Sequence, residues 1–393
     1  MAVPRHNVNL TSDELRWMAS TLSGRGDDAR GRALFESALC DYLGVAHVRA
    51  VDSGRVALHL ALDGLGLSPG DRVVLPRYCF YSLAHVIEGL CLEPIWAPVD
   101  PATLALDPAR LGPLVDGAKA VILIHPFGQV GPLRAIREIS DAAGIPLIED
   151  GSQATGGALG SDKVGALGTV GVFSMVSGKN LQTFGGGFVS TNDDDLIRRV
   201  DARLEEAEPV PAARVKAAMY SGAMRWFLTT PLGYGGLMHP LTLGLQTLAP
   251  RQLEAMFHEE RAAYDPKRSL HRLSDAQGHL GCLDLEQLDR RNQIRRNHAL
   301  RLIDGLRGLS KITLPHFDSA ADNTFNALAI RVQDGPRIQR DLRLRGVDTR
   351  SDYMSWYGQD RDFAEDVVYL PNHPGLRSAD VDMVVRAVRA VLS

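Results

Sequence analysis

The stretch FSMVSGKNLQTFGGGFVST, residues 173–191, sets a single lysine, Lys179, between an apolar run that carries Ser174 and three consecutive glycines, with a strand-like run beyond. An isolated lysine is ordinarily a solvated surface charge. Held on a rigid turn, however, its primary amine can bond covalently to an aldehyde. Three further stretches bear on which role applies.

In GIPLIEDGSQATGGALG an apolar strand runs straight into Glu149 and Asp150, so at least one carboxylate sits at the carboxyl end of a sheet strand, a costly place unless it is paired. In AVDSGRVALHLAL, Ser53 and Gly54 end a strand and an amphipathic helix begins at once. Free backbone N–H groups at such a helix start, beside a glycine that permits close approach, suit a phosphate, and the Arg55 guanidinium would reinforce it. LPRYCFYSLAHV puts Tyr78, Phe80 and Tyr81 just past a strand, where a flat ring either packs in the core or stacks on a flat ligand. Taken singly, these read as a helix cap, a loop acid, a core ring and a surface charge. Their order changes the reading: phosphate turn, aromatic, Asp150 with Gln153 three residues on, then Ser174 and Lys179 before the glycines. Together they describe a site for pyridoxal 5'-phosphate, whose aldehyde a lysine can bind and whose ring accepts electrons when an acid keeps its nitrogen protonated.

The elements that must position these groups alternate along residues 46–200. HVRAVDSG, DRVVLP, EPIWAPVD, AVILIHPFG, GIPLIEDGS, TVGVFSM and GGFVSTN read as strands, and GRVALHLALDGLG and GPLRAIREISDAAG as helices. That alternation predicts an α/β fold on a largely parallel sheet, with ligands at the strand ends. Residues 1–205 are expected to form this large domain. An apolar insertion follows over 206–264, and its stretch 226–250 contains no Asp, Glu, Lys or Arg. Pro231, Pro240 and the glycines argue against one straight spanning helix, leaving a buried hairpin that covers the site or a subunit contact, or a weak membrane or lipid contact through 226–250. DLEQLDRRNQIRRNHALRLIDGLRGL then reads as a long bridging helix within 265–300 and beyond, and residues 301–393 as a smaller α/β domain.

A formal net charge of -4 with no basic stripe gives no footprint for nucleic acid. Cys40, Cys79, Cys91 and Cys282 have neither zinc-site nor disulfide-framework spacing, so no metal is expected and a reducing compartment fits. MAVPRHNVNLTSDELRWM lacks the apolar core of a signal peptide, and its Thr11-Ser12-Asp13-Glu14 run reads as a helix start; a cytoplasmic location is the expectation.

Over nearly its whole length outside 206–264, the chain resembles the DegT/DnrJ/StrS family of sugar aminotransferases. LFESALCDYLGVAHVRAVDSGRVALHLALDGLGLSPGDRVVLP, IEDGSQATGG, FSMVSGKNLQTFGGGFVST and LPNHPGLRSADVDMVVRAV are similar to that family's ordered motifs. The resemblance implies the fold-type I architecture of pyridoxal phosphate-dependent transferases, a large mostly parallel-sheet domain plus a smaller C-terminal α/β domain, and a homodimer. It implies Lys179 as the catalytic lysine that binds the cofactor and shuttles protons in the 1,3-prototropic shift. Asp150 would pair with the ring nitrogen, Gln153 would lie near the phenolic oxygen, and Ser53, Gly54 and Ser174 would hold the phosphate. Phe80 matches the stacking aromatic. Lysine at 179 also separates the chain from the family's dehydratases, which carry histidine there. Four positions depart from the pattern: Arg55 stands where the family has a threonine, Gly185 where it has an acid, Leu270 where it has an asparagine, and Asp352-Tyr353 where it has His-Tyr.

These readings lead to an aminotransferase that passes an amino group from an amino acid, glutamate by the resemblance, to a keto sugar, nucleotide-linked or cyclitol-like. Arg350 and Tyr353 are the candidates to meet the donor carboxylate or the acceptor. Two alternatives are a diverged pyridoxal phosphate enzyme acting on an amino acid or a lipid-like ketone, and a noncatalytic ligand sensor or membrane-recruited scaffold.

Overall fold

The computed structural model of the chain describes residues 2–26, 29–249, 263–266, 270–359, 361–363 and 365–392. Part of the apolar insertion, 250–262, and residues 267–269 just before Leu270 lie outside the described residues.

The β-branched runs read from the sequence become the strands β1 His47–Val51, β2 Arg72–Pro76, β3 Glu93–Ala97, β4 Ala120–Ile124, β5 Leu147–Asp150, β6 Val170–Ser174 and β7 Gly187–Thr191. They order as β1-β7-β6-β5-β4-β2-β3, and the two-residue segments His271–Arg272 and Glu208–Pro209 extend the β1 edge. From β3 to β6 every pairing is parallel, whereas β7 runs antiparallel to both β6 and β1. Parallel strands are covered on both faces, so they need continuous rather than alternating hydrophobicity. The AVILI run of β4 meets that need and is buried at every position. Helices α1 Ser12–Leu22, α2 Gly31–Leu43, α3 Gly54–Gly64, α4 Tyr81–Gly89, α5 Leu133–Ala143 and α6 Asp194–Glu205 complete this part.

Two features of the sequence reading change. The single long helix expected across DLEQLDRRNQIRRNHALRL is instead two, α9 Asp275–Leu285 and α10 Leu288–Leu306, broken at Glu286 and Gln287. No glycine or proline marks the break. It lets Asp284 turn back to Arg291 inside the protein, with a hydrogen bond of 2.5 Å. In the insertion two helical runs form: α7 Ala212–Leu228, and, after a break at Thr229 and Thr230, a second run that starts at Pro231–Gly233, passes through a π-turn over Tyr234–Met238 and ends as α8 His239–Leu248. The buried hairpin expected from the sequence is not what these runs make: Tyr220, Phe227, Leu232, Leu237, Leu241 and Leu248 on them are exposed. Among the described residues no helix is long and apolar enough to cross a membrane.

Beyond α10, β8 Ile312–Thr313, β9 Leu328–Val332 and β10 Asp366–Leu370 form an antiparallel sheet. With α11 Gly335–Leu344 and α12 Ser378–Leu392 they enclose a second core, which Val3 of the N-terminal segment joins.

Candidate active site

The carboxyl ends of β4, β5 and β6, the start of α3 and the segment between the small domain's first helix and β10 border one cavity of about 450 Å³, a size that suits a small ligand. Ser53, Gly54, Arg55, Phe80, Asp150, Gln153, Ser174, Lys179, Arg350 and Tyr353 all line it. The sequence reading named each of them from scattered stretches, and folding brings all ten to one place.

Strand alternation separates the two acids that end β5. Glu149 turns away from the cavity and is wholly buried; its carboxylate accepts the Gly165 N–H at 2.9 Å and the Gly168 N–H, and His125 Nε2 lies 3.5 Å from it. Asp150 faces the cavity, with one carboxylate oxygen accepting the Ser152 N–H at 2.9 Å. Gln153 accepts the Phe127 N–H at 2.9 Å, which fixes its amide against the cavity wall.

Ser53 caps α3, accepting the Val56 N–H at 3.3 Å. A Cβ on Gly54 would stand 2.8 Å from Ser174 Cβ, so only glycine lets the helix start approach the end of β6. Gly187 is equally constrained, since a Cβ there would lie 2.6 Å from Gly54 N. Within this cradle Ser177 Oγ is buried and makes no hydrogen bond among the described residues. A helix start with free N–H groups, three serine hydroxyls and the Arg55 guanidinium form a donor set made for a phosphate. Asp150 and the Phe80 ring are suited to the ring nitrogen and ring face of the same group, so the residues present fit pyridoxal 5'-phosphate.

The turn that carries Lys179 is pinned from behind. Asn180 donates to Asn292 at 2.8 Å, the Gln182 N–H donates to Asp284 at 2.9 Å, and Gln277 donates to the Thr183 carbonyl at 3.3 Å. Asn180, Gln182 and Thr183 are buried, so these bonds hold the loop to α9 and α10 where water cannot compete. Gly185 has φ +142°, a conformation an L side chain rarely adopts, in keeping with the missing acid there. Leu270, at the other changed position, packs against the core around α3 and α4.

Arg350 and Tyr353 arrive on a segment tied at both ends. Arg350 bridges to Tyr369 of β10, and Ser355–Trp356 pairs with Tyr78–Cys79 beside Phe80. Between these anchors the Lys179 amine donates to Tyr353 Oη at 3.2 Å, and the Tyr353 ring lies 5.2 Å from that of Phe80. Asp352, exposed to solvent, accepts from Arg350 at 2.8 Å.

Sequence reasoning missed Arg5, His6, Arg225 and Tyr369, which also line the cavity. Arg5 comes from the N-terminal segment, where Val3 bridges to Val347, and it pairs with Asp348 at 3.1 Å. Burial opposes its charge most strongly, but the Asp348 carboxylate together with Tyr369 and Tyr234 outweighs that and raises its pKa. Burial lifts the Tyr369 hydroxyl to about 12, leaving it a neutral donor. None of these residues sits in a recognisable local pattern. The bridge between the chain's start and the segment that follows α11 brings Arg5 in.

The sequence model of the DegT/DnrJ/EryC1/StrS aminotransferase family matches residues 15–234 and 258–389. GDP-perosamine synthase of Caulobacter vibrioides is 27% identical over 378 residues, covering 91% of this chain and 89% of that protein. L-Glutamine:2-deoxy-scyllo-inosose aminotransferase of Streptomyces paromomycinus is 36% identical over 203 residues, about half of each chain at 50% and 47%. Among solved structures, DesV of S. venezuelae superposes with a TM-score of 0.76 at 24% identity over 99% of this chain and 98% of that one, a likeness of fold.

Proposed function

The chain belongs to the DegT/DnrJ/EryC1/StrS aminotransferase family, whose members depend on pyridoxal 5'-phosphate, and from that membership we propose that it transfers an amino group from an amino acid to the keto carbon of a sugar or cyclitol. The observation that carries the reading is the meeting of Ser53, Gly54, Arg55, Phe80, Asp150, Gln153 and Ser174 around one lysine at the carboxyl edge of a parallel sheet. The matched relatives named above, one making a nucleotide-linked amino sugar and one an amino cyclitol by name, support both acceptor classes.

Bound in this cavity, the cofactor supplies an aldehyde that takes up the amino group and a ring that draws off electron density. The rest falls to the protein. Ser53, Ser174, Ser177, the first N–H groups of α3 and Arg55 would hold its phosphate, and Asp150 would keep its ring nitrogen protonated. Phe80 would cover one ring face. Lys179 Nζ would hold the cofactor through its aldehyde and, when not so bound, would be the base that accepts and returns a proton. Tyr353 Oη, 3.2 Å from that amine, orients it while it is free. Arg350 and Tyr353 meet the incoming substrate.

A homodimer in the cytoplasm fits the same reading. The exposed apolar side chains along the 212–248 helical runs, Leu232 and Leu248 among them, favour a second copy as their cover. Light scattering on the purified chain tests it: a monomer at micromolar concentration would rule it out, and flotation with vesicles would point to a lipid surface.

The activity is tested by adding glutamate or glutamine to purified holoenzyme and following the visible spectrum, then adding nucleotide-linked keto sugars or inososes. Wild type should convert donor in the first step, and Lys179→Ala should lose turnover by several orders of magnitude. Full turnover by Lys179→Ala would sink the reading.

A further inference from the structure

Charge in the cavity wall is not balanced from within. The lining holds Arg5, Arg55, Lys179, Arg225 and Arg350 against one carboxylate, Asp150. Arg5 and Arg350 have internal partners in Asp348 at 3.1 Å and Asp352 at 2.8 Å. Arg55 stands at the start of α3, where the cofactor phosphate is proposed to sit. That leaves Arg225, in the last turn of α7, whose guanidinium makes no hydrogen bond or ion pair among the described residues. A place near a helix C-terminus explains why a cation is tolerated there. It does not explain why the cation borders a cavity that is already positive.

The cations line one cavity. Surrounding protein, and then the fields of Arg5, Arg225 and Arg350, hold the His6 imidazole well below the usual histidine range, although the open cavity still admits water to its ring. Arg350 and the Lys179 amine lie 5.8 Å and 5.9 Å from the centre of the same Tyr353 ring. A positive patch therefore stands one tyrosine away from the reacting amine. Like charges so gathered repel unless an anion joins them, and low-dielectric cavity walls strengthen both effects.

We propose that Arg225 and Arg350 form an anion site, separate from the cofactor's phosphate cradle, for a carboxylate or phosphate carried by a substrate. That the anion belongs to a substrate rests on the aminotransferase reading. The second carboxylate of a dicarboxylic donor and the phosphate of an acceptor offer the same chemistry, planar or tetrahedral oxygens that a guanidinium fork binds.

The test uses holoenzyme, so that the cofactor already fills its own phosphate site, and compares wild type with Arg225→Gln. By calorimetry, wild type should bind inorganic pyrophosphate or succinate, and the variant should bind the same probe roughly tenfold or more weakly, the loss of one charge-assisted contact. Arg225→Lys should recover part of the affinity. Kinetics assign the source. A KM that rises for glutamate but not for glutamine places the donor's side-chain carboxylate on Arg225. An unchanged donor step with a raised KM for a nucleotide-linked keto sugar places the acceptor's phosphate there. If neither probe binds wild type, or Arg225→Gln binds both as wild type does, the anion site is refuted. A protein that transfers no amino group yet loses pyrophosphate with Arg225 would refute the activity and keep the site.

Discussion

Gly54→Ala probes the contact on which the phosphate cradle depends. The backbone at Gly54 is not in the left-handed region, so conformation alone would permit alanine. Space does not: the new Cβ would lie 2.8 Å from Ser174 Cβ and 3.3 Å from both its Cα and Oγ. Carbon atoms in contact sit about 3.5–4.0 Å apart, so one side must yield by roughly 1 Å. Ser174 is fixed in register opposite Gly187 of β7, and Gly187 itself is closed in by Gly54 N. The start of α3 must therefore move, carrying the N–H groups that meet the phosphate. Overpacking costs about 1–3 kcal/mol, partly offset by about 0.5–1 kcal/mol from replacing glycine in a helix. Each charge-assisted hydrogen bond to phosphate is worth about 1.5–3 kcal/mol, so losing one weakens cofactor binding by about tenfold to a hundredfold. The larger effect thus falls on the cofactor and the smaller on the fold. Apoprotein titrated with pyridoxal 5'-phosphate, followed by visible absorbance, gives Kd, and thermal unfolding gives Tm. Gly244→Ala, in α8 with nothing within 4 Å of the added methyl, is the control and should leave Kd unchanged. A wild-type Kd for Gly54→Ala would refute the cradle.

Two further substitutions separate positioning from packing. Tyr353→Phe keeps the ring packed near Phe80 and Tyr369 but removes the hydroxyl 3.2 Å from Lys179 Nζ; kcat should fall by roughly tenfold while Tm holds, whereas wild-type kcat would leave the hydroxyl without a role. Asp284, buried beside Glu14 and sharing Arg291 with it, is pushed by burial up to about 7. Its folded pKa thus lies above the roughly 3.9 of an unfolded aspartate, so the folded state binds the extra proton between those values. The contribution to stability is present below about pH 4 and is lost as pH rises through 7. The Tm of Asp284→Asn relative to wild type should therefore climb between pH 5 and 8, and a flat difference over that range would contradict the assignment.

How much of this was legible in the sequence depends on how local the cause is. Lys179, Ser53 and Phe80 each follow a strand and Asp150 ends one, and a strand, a turn and a residue type can all be read within a dozen positions. The polar pins behind Lys179 could not be read so. Asn292 and Asp284 lie more than a hundred positions from the loop they hold, on helices whose periodicity shows only an apolar face. The break between α9 and α10 was hidden for a related reason. DLEQLDRR is made of good helix formers, and the buried pairing of Arg291 with Asp284 and Glu14 overrides local preference. Likewise, the uncharged run of 226–250 announced an apolar surface without saying which of its side chains stay outside.

The cavity is assembled from two kinds of segment, and this division sets what each substitution should report. The sheet edge, α3 and the Lys179 turn are covered by the large core and pinned by buried hydrogen bonds, and they present the groups proposed for the cofactor. The N-terminal segment, the last turn of α7 and the tethered run from Arg350 to Trp356 reach the same cavity from outside that frame, and every cation not assigned to the cofactor comes from them. Rigid elements hold geometry to the tolerance that proton transfer needs, whereas connecting segments can change their side chains with little cost to the fold. Changes at Gly54, Asp150 or Ser174 should therefore appear in cofactor affinity whichever substrate is offered. Changes at Arg225, Arg350 or His6 should leave that affinity alone and sort substrates from one another. If Arg225→Gln weakened pyridoxal 5'-phosphate as strongly as Gly54→Ala does, the two groups of residues would be one site, and the acceptor would have to be sought elsewhere on the molecule.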